Sequence, residues 1–287
     1  MELKRRTFLE LGGAGVLAPV VPPKKFSATD TVELGKTGIK TSRLCFGTGV
    51  KSHNRNSGIG RTGHENAVKL IRHAYECGVR CFDMADSYGT HGFVAEALAP
   101  FPRESYTLVS KIWFRGGGIP AEDKKPAAET IERFLRELKT DYVDVVQLHC
   151  VTSGKWPQEN VALMEGLETA KKAGKIRAHG LSMHNIAALK AAVETPWAEV
   201  CHVRINPFKV LMDGPVEEIS ELCRKLHGRG AGVIGIKILG EGWVGQYPEK
   251  IDESLAFAVK GGFVDILDIG FLTVAEFDDI VARIARI

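Results

Sequence analysis

The sequence predicts an α/β protein, a (β/α)8 TIM barrel with an N-terminal β-hairpin, on three observations. From residue 44 onward, apolar runs of strand length alternate with stretches of helical period until the chain ends. The runs number eight, and eight strand-helix units close into a barrel. No G-x-G-x-x-G follows the first run, so the phosphate-binding turn of an open doubly wound sheet is missing.

Taken in chain order, residues 31–42 hold Gly35-Lys36-Thr37-Gly38, a turn signal between two extended pieces. They predict a hairpin that plugs the N-terminal end of the barrel. Strands are predicted at 43–47, 80–83, 106–111, 143–149, 178–182, 200–206, 233–238 and 266–269. Between them, Ala67, Leu70, Ile71 and Ala74 mark one face of a helix that closes at Gly78. Leu163, Leu167 and Ala170 do the same before Gly174, and Ile219, Leu222, Cys223 and Leu226 before Gly228.

The 287 residues fit one barrel, since such folds run to about 250 residues as a single domain. A net charge of +3, with Lys and Arg mixed among Asp and Glu, leaves no electrostatic footprint for nucleic acid. Six cysteines without a C-x-x-C pair give neither zinc nor iron-sulfur spacing, and most are expected in the core.

The first residues differ from the rest. Lys4-Arg5-Arg6-Thr7-Phe8-Leu9-Glu10 precedes a mildly apolar stretch at 11–21, then Pro22-Pro23-Lys24-Lys25. This resembles a twin-arginine export signal, with cleavage near Ala28, so residues 1–28 are expected to be a signal segment and 29–287 the barrel. The stretch is too short and glycine-rich to span a bilayer, so no stable membrane insertion is expected. Contact with export machinery and a periplasmic location follow from this reading. The alternative is a cytoplasmic protein with a basic start.

A barrel of this kind builds its site at the C-terminal ends of its strands. There the second strand ends in Asp83-Met84-Ala85-Asp86-Ser87-Tyr88-Gly89, the third in Ser110-Lys111 and the fourth in Gln147-Leu148-His149. Alone, each has a plain reading: a loop cap, a packed tyrosine, a solvated lysine. Together they form proton-transfer equipment. A lysine cation beside a phenol stabilises the phenolate and is expected to lower its pKa towards a working range. A carboxylate keeps the lysine charged, and an imidazole can bond a carbonyl oxygen.

These residues resemble the aldo-keto reductases over nearly all of 32–287. The likeness is carried by Glu33-Leu34-Gly35-Lys36-Thr37-Gly38-Ile39, Phe46-Gly47-Thr48-Gly49, Phe82-Asp83-Met84-Ala85 with Tyr88-Gly89, Ser110-Lys111, 138–144 with His149, Gly180-Leu181-Ser182 and Asn206-Pro207. The resemblance implies Asp83, Tyr88, Lys111 and His149 as catalytic residues and hydride transfer between a nicotinamide cofactor and a small-molecule carbonyl, without metal. It implies Ser182 at the carboxamide and the Gly47-Thr48-Gly49 turn beneath the cofactor, with Asp83 beside it. Met183, His202 and Ile236 depart from the family's usual Asn, Gln and Tyr. Lys237 reaches the pyrophosphate or is a structural lysine. The segment 273–279 lacks basic residues, and Glu276, with Asp279 near it, stands where many members carry Arg. An anion there opposes a ribose phosphate, so NADP is the family default and NAD the competitor.

Trp113 and Phe114 after Lys111, and Trp156 after His149, are substrate contacts or rim packing. His179 and His184, on either side of Ser182, read as ordinary hydrogen-bonded histidines, and Asp86 as a turn residue. The short tail predicts an open pocket suited to a bulky or polar substrate such as a sugar derivative. Two rivals stand beside the reductase. One is a nicotinamide-binding sensor or accessory subunit without turnover, against which the intact tetrad argues. The other is a metal-dependent hydrolase, which needs a His and carboxylate cluster not expected at these strand ends.

Overall fold

A computed structural model describes residues 25–287. The segment 1–24, with the paired arginines and the apolar stretch, lies outside the described residues. Strands β1 (Thr31–Glu33) and β2 (Lys40–Ser42) form an antiparallel hairpin. The barrel follows as β3 (Leu44–Gly47), β4 (Cys81–Asp83), β5 (Thr107–Ile112), β6 (Val143–Val151), β7 (Ile176–Met183), β8 (Val200–Arg204), β9 (Gly232–Ile236) and β10 (Ile266–Gly270). Every neighbouring pair in it is parallel, and β10 returns to β3 to close it.

Around the barrel lie α1 (Gly58–Arg61), α2 (His64–Glu76), α3 (His91–Leu98), α4 (Ala127–Leu138), α5 (Trp156–Glu159), α6 (Val161–Lys172), α7 (Ile186–Glu194), α8 (Val216–Gly228), α9 (Pro248–Lys260) and α10 (Val274–Ile284). Helix α2 buries Ala67, Leu70, Ile71 and Ala74, and α8 buries Ile219, Leu222, Cys223 and Leu226. Each fully buried Leu or Ile contributes about 1.5–3 kcal/mol. The stop after α8 differs from expectation. Gly228 is still helical, and Gly230, with φ of 94°, makes the left-handed exit.

The barrel floor explains the hairpin. Cys45, Cys81, Val109, Val145, Ala178, Val200, Ile234 and Ile266, one from each strand, pack with Leu34 and Ile39 from the hairpin loop. Both loop residues are 0% exposed, so the expected plug is in place. Ala28 is buried, and its carbonyl accepts from the Leu44 N–H at 2.8 Å. The chain is therefore docked on the barrel before β1 begins. Among the described residues, no helix is long and apolar enough to cross a membrane.

Candidate active site

Side chains alternate along a strand, so the residue two beyond the floor points the same way. Two beyond Cys81, Val109, Val200 and Ile266 stand Asp83, Lys111, His202 and Asp268. A polar layer thus rests on the apolar one. Lys111 Nζ donates to both carboxylate oxygens of Asp83, with Oδ2 at 2.5 Å, and to the Met84 carbonyl at 3.0 Å. Both side chains are 2% exposed. Burial opposes each charge, yet the pair overcomes it: the Asp83 carboxyl is held below its ordinary pKa and the Lys111 ammonium above its own.

Tyr88 ends a single 3-10 turn, Asp86–Tyr88, after β4. The Lys111 ammonium lies 5.1 Å from the centroid of its ring. A Cβ on Gly49 would come within 2.4 Å of the ring, so the turn after β3 keeps its glycine to admit the phenol. Asp86 does more than fill a turn. It is buried and pairs with Arg55 at 2.9 Å and Arg133 at 2.7 Å, while Arg133 reaches Glu137 and Glu137 reaches His91 at 2.6 Å. His91 in turn bonds Ser110, the neighbour of Lys111, at 2.8 Å. This network ties the Tyr88 turn to β5.

The phenol itself departs from expectation. Burial pushes its pKa above the ordinary value, and Lys111 opposes that without cancelling it. The physical reason is that Asp83 neutralises much of the lysine's field and itself pushes the phenol upward. His149 stands beside Tyr88, the rings meeting edge-on at 5.5 Å, and its Nδ1 lies 3.4 Å from Ser87 Oγ. Burial and the nearby Lys111 hold the imidazole pKa well below 6.5, so it is neutral at physiological pH.

A cavity of about 610 Å³ opens over this layer. Gly47, Gly49, Asp83, Tyr88 and Lys111 line it, as do Ser182 and His202. Lys237, Glu276 and Asp279 line it from β9's following loop and from α10. Lys237 is paired with Glu241 at 2.8 Å, and Asp279 with Arg283 at 2.7 Å. Glu276 is committed to a reciprocal cap of α10: its carboxylate accepts from the Leu272 N–H at 2.7 Å, and its N–H donates to Thr273 Oγ1 at 3.2 Å. It still leaves an anion on the cavity wall.

Several expected site residues fall elsewhere. Thr48 is fully buried beneath the turn, bonding the Asp83 carbonyl at 2.8 Å and Thr90 at 2.7 Å, so it braces β4 and does not face the cavity. Trp156 is 0% exposed in the core, its Nε1 donating to the Ala188 carbonyl, because α5 turns inward straight after the β6 loop. Phe114 packs partly buried against the core. Trp113 meets the His149 ring edge-on at 5.1 Å and so flanks the imidazole.

Sequence reasoning missed Asp268 and set aside His184; both line the cavity, as do Lys51 and Arg61. A charged residue inside the apolar run of β10 was the available signal for Asp268. The strand ends also bring an imidazole and two carboxylates together after all. The donor atoms of Asp83, His202 and Asp268 lie within 4.8 Å of one another, and the Lys111 ammonium holds the place beside Asp83 that a cation would take.

The profile of the Aldo/keto reductase family matches residues 43–254. The chain belongs to that family. Among its relatives is the aldo-keto reductase YhdN of Bacillus subtilis, 29% identical over 53% of this chain and 46% of that protein. The L-galactose dehydrogenase of Arabidopsis thaliana is 26% identical, over 73% of this chain and 65% of its own length. The methylglyoxal reductase DkgB of Salmonella typhimurium is 25% identical, over 65% and 78%. The chain thus spans less than two thirds of the first two relatives. An aldo-keto reductase of Bacillus halodurans solved in its holo form superposes with a TM-score of 0.71 at 18% identity, covering 89% of this chain and 91% of that one. A Klebsiella pneumoniae aldo/keto reductase in complex with NADP and acetate gives 0.67 at 20% identity, over 88% and 89%. At these identities the two structures establish the shared fold.

Proposed function

We propose that this aldo/keto reductase is a nicotinamide-dependent carbonyl reductase, with Tyr88 as the acid that protonates the carbonyl oxygen. The observation that carries the reading is the buried chain Asp83, Lys111 and Tyr88 at one cavity, with a neutral His149 packed edge-on against the phenol. The residues fit the cofactor. The cavity, about 610 Å³, is within the range of small-molecule sites, and the ring nitrogens of His202 are buried without a hydrogen-bond partner. Ser182 and His202 would hold a carboxamide, and Lys237 would lie along the pyrophosphate. Bound there, a reduced nicotinamide supplies the hydride.

The chain's own part is proton work. Tyr88 keeps its proton through neutral pH and releases it to an oxygen that is gaining charge. His149 offers its Nε2–H to the same oxygen, and Lys111 stabilises the phenolate left behind. Asp83 fixes Lys111. NADP is the assigned cofactor, supported by the bound NADP of the Klebsiella neighbour and by Lys51 and Arg61 on the cavity wall. NAD is the competitor that Glu276 favours. Loss of reduced-nicotinamide absorbance with a panel of aldehydes and ketones tests the activity; no consumption with any of them, despite cofactor binding, would favour the sensor reading.

Export is part of the same proposal. Residues 1–28 are read as a twin-arginine signal for the barrel at 29–287, on Arg5-Arg6 and the weakly apolar stretch after them. A periplasmic enzyme would keep its cofactor, so slow nicotinamide release is expected. Cytoplasmic retention of a folded reporter fused to residues 1–31 would overturn this.

A further inference from the structure

Two carboxylates, Asp83 and Asp268, share the floor of the site with one ammonium. Asp268 is 9% exposed in the middle of β10. Its Oδ1 has no hydrogen-bond partner, and its Oδ2 lies 3.7 Å from His202 Nε2. Its ligand atom is within 4.8 Å of those of Asp83 and His202. A Cβ on Gly47 would fall 2.4 Å from Oδ1, so β3 leaves the space that this carboxyl fills.

The charges around it do not balance a second anion. Asp268 faces Asp83 from β4, Lys111 from β5, His202 from β8 and Lys237 beyond β9, with Tyr88 and Cys45 nearby. Lys111 is committed to Asp83, and Lys237 to Glu241. Burial and the neighbouring Lys111 hold the His202 imidazole below its ordinary pKa, so it brings no second cation. Burial pushes the Cys45 thiol up, and it adds no charge. An uncompensated buried ion costs several kcal/mol. Two carboxyls sharing a site avoid that cost when one keeps its proton. Burial, and then Asp83, push the Asp268 carboxyl well above the usual carboxylate range.

We propose that Asp268 stands as a neutral carboxylic acid that donates its proton in a hydrogen bond to the Asp83 carboxylate, a positioning residue for the Asp83–Lys111 pair. The Asp83 carboxylate then bonds Lys111 from one side and Asp268 from the other, and neither can rotate without breaking a buried bond. Ionised, Asp268 would draw Lys111 away from Asp83 and push the Tyr88 phenol further up. The proton state stands apart from the assigned reaction; the kinetic consequence rests on that reading.

The test uses the full chain with aspartate carboxyls labelled with carbon-13. In the infrared difference between wild type and Asp268→Asn at neutral pH, a protonated-carboxyl C=O stretch should be lost. Loss of carboxylate bands alone would overturn the proposal, whether or not the protein reduces carbonyls. In kinetics, Asp268→Asn, also neutral and able to donate, should keep turnover within about threefold and leave the pH profile in place. Asp268→Leu, which cannot donate, should lower turnover about tenfold or more with little change in KM. A profile in Asp268→Asn displaced by about one pH unit, a tenfold change in proton affinity, would show that wild-type Asp268 is charged and overturn the proposal.

Discussion

Lys111 donates to both carboxylate oxygens of Asp83, and neither side chain is more than 2% exposed. Two roles, structural and chemical, therefore share one ion pair, and substitution can separate them. Lys111→Met leaves Asp83 buried without its partner, which should destabilise the fold by about 3–5 kcal/mol. Combining it with Asp83→Asn should recover most of that stability in a denaturant titration while turnover stays lost. Recovery of turnover in the double variant would show that Lys111 has no part in the chemical step.

The pH dependence follows from two shifts. Burial raises the Tyr88 phenol above its ordinary value of about 10, so the acid form persists through neutral pH and is lost only well into the alkaline range. Reduction should be flat from about pH 6 to 10 and fall only above that; oxidation of the alcohol, which needs the phenolate, should rise with pH across the flat range of reduction. His149 is held neutral far below pH 6.5. An inflection in kcat/KM near pH 6.5 that vanishes in His149→Ala would contradict its assigned state.

Asp86 is the buried acceptor of two guanidiniums beside the Tyr88 turn. Asp86→Ala leaves Arg55 and Arg133 without it and loosens the turn. Turnover should drop by about tenfold to a hundredfold, with cofactor affinity unchanged in fluorescence titration. Unchanged turnover would mean that the turn holds Tyr88 without the network.

Glu276 has both an electrostatic and a structural part. Glu276→Gln keeps an acceptor for the Leu272 N–H but removes the charge from the cavity wall. Affinity for NADPH should improve relative to NADH by about threefold to tenfold. Glu276→Ala should show the same ratio and also lose about 1 kcal/mol with the cap. A constant ratio in both would place the ribose away from α10.

Much of this architecture is legible in the chain, because the barrel's alternation repeats at every unit. The polar strand ends are legible too, since Asp83, Lys111 and His149 each end a predicted strand. Asp268 is not read so easily: it sits inside the run 266–269, and only closure of the barrel brings its carboxyl within 4.8 Å of the ligand atoms of Asp83 and His202. Trp156 misleads for the opposite reason. Its place after His149 suggests the rim, but α5 folds its indole against Trp197 at 5.9 Å. The direction of the Tyr88 shift depends on burial against one lysine already neutralised by a carboxylate, a balance set by depth rather than residue order. Glu276 is visible as an anion, whereas its capping bond depends on the turn at Leu272.

Removing the phenolic oxygen alone tests the central claim most directly. Tyr88→Phe keeps the ring that Gly49 admits and that meets His149, but leaves no proton to transfer. Turnover, followed by the absorbance of reduced nicotinamide under saturating carbonyl, should fall by about 10²–10⁴. Cofactor affinity, measured on the same preparation by fluorescence titration, should stay within about twofold. Turnover within a few fold of wild type would contradict the assignment of Tyr88 as the acid.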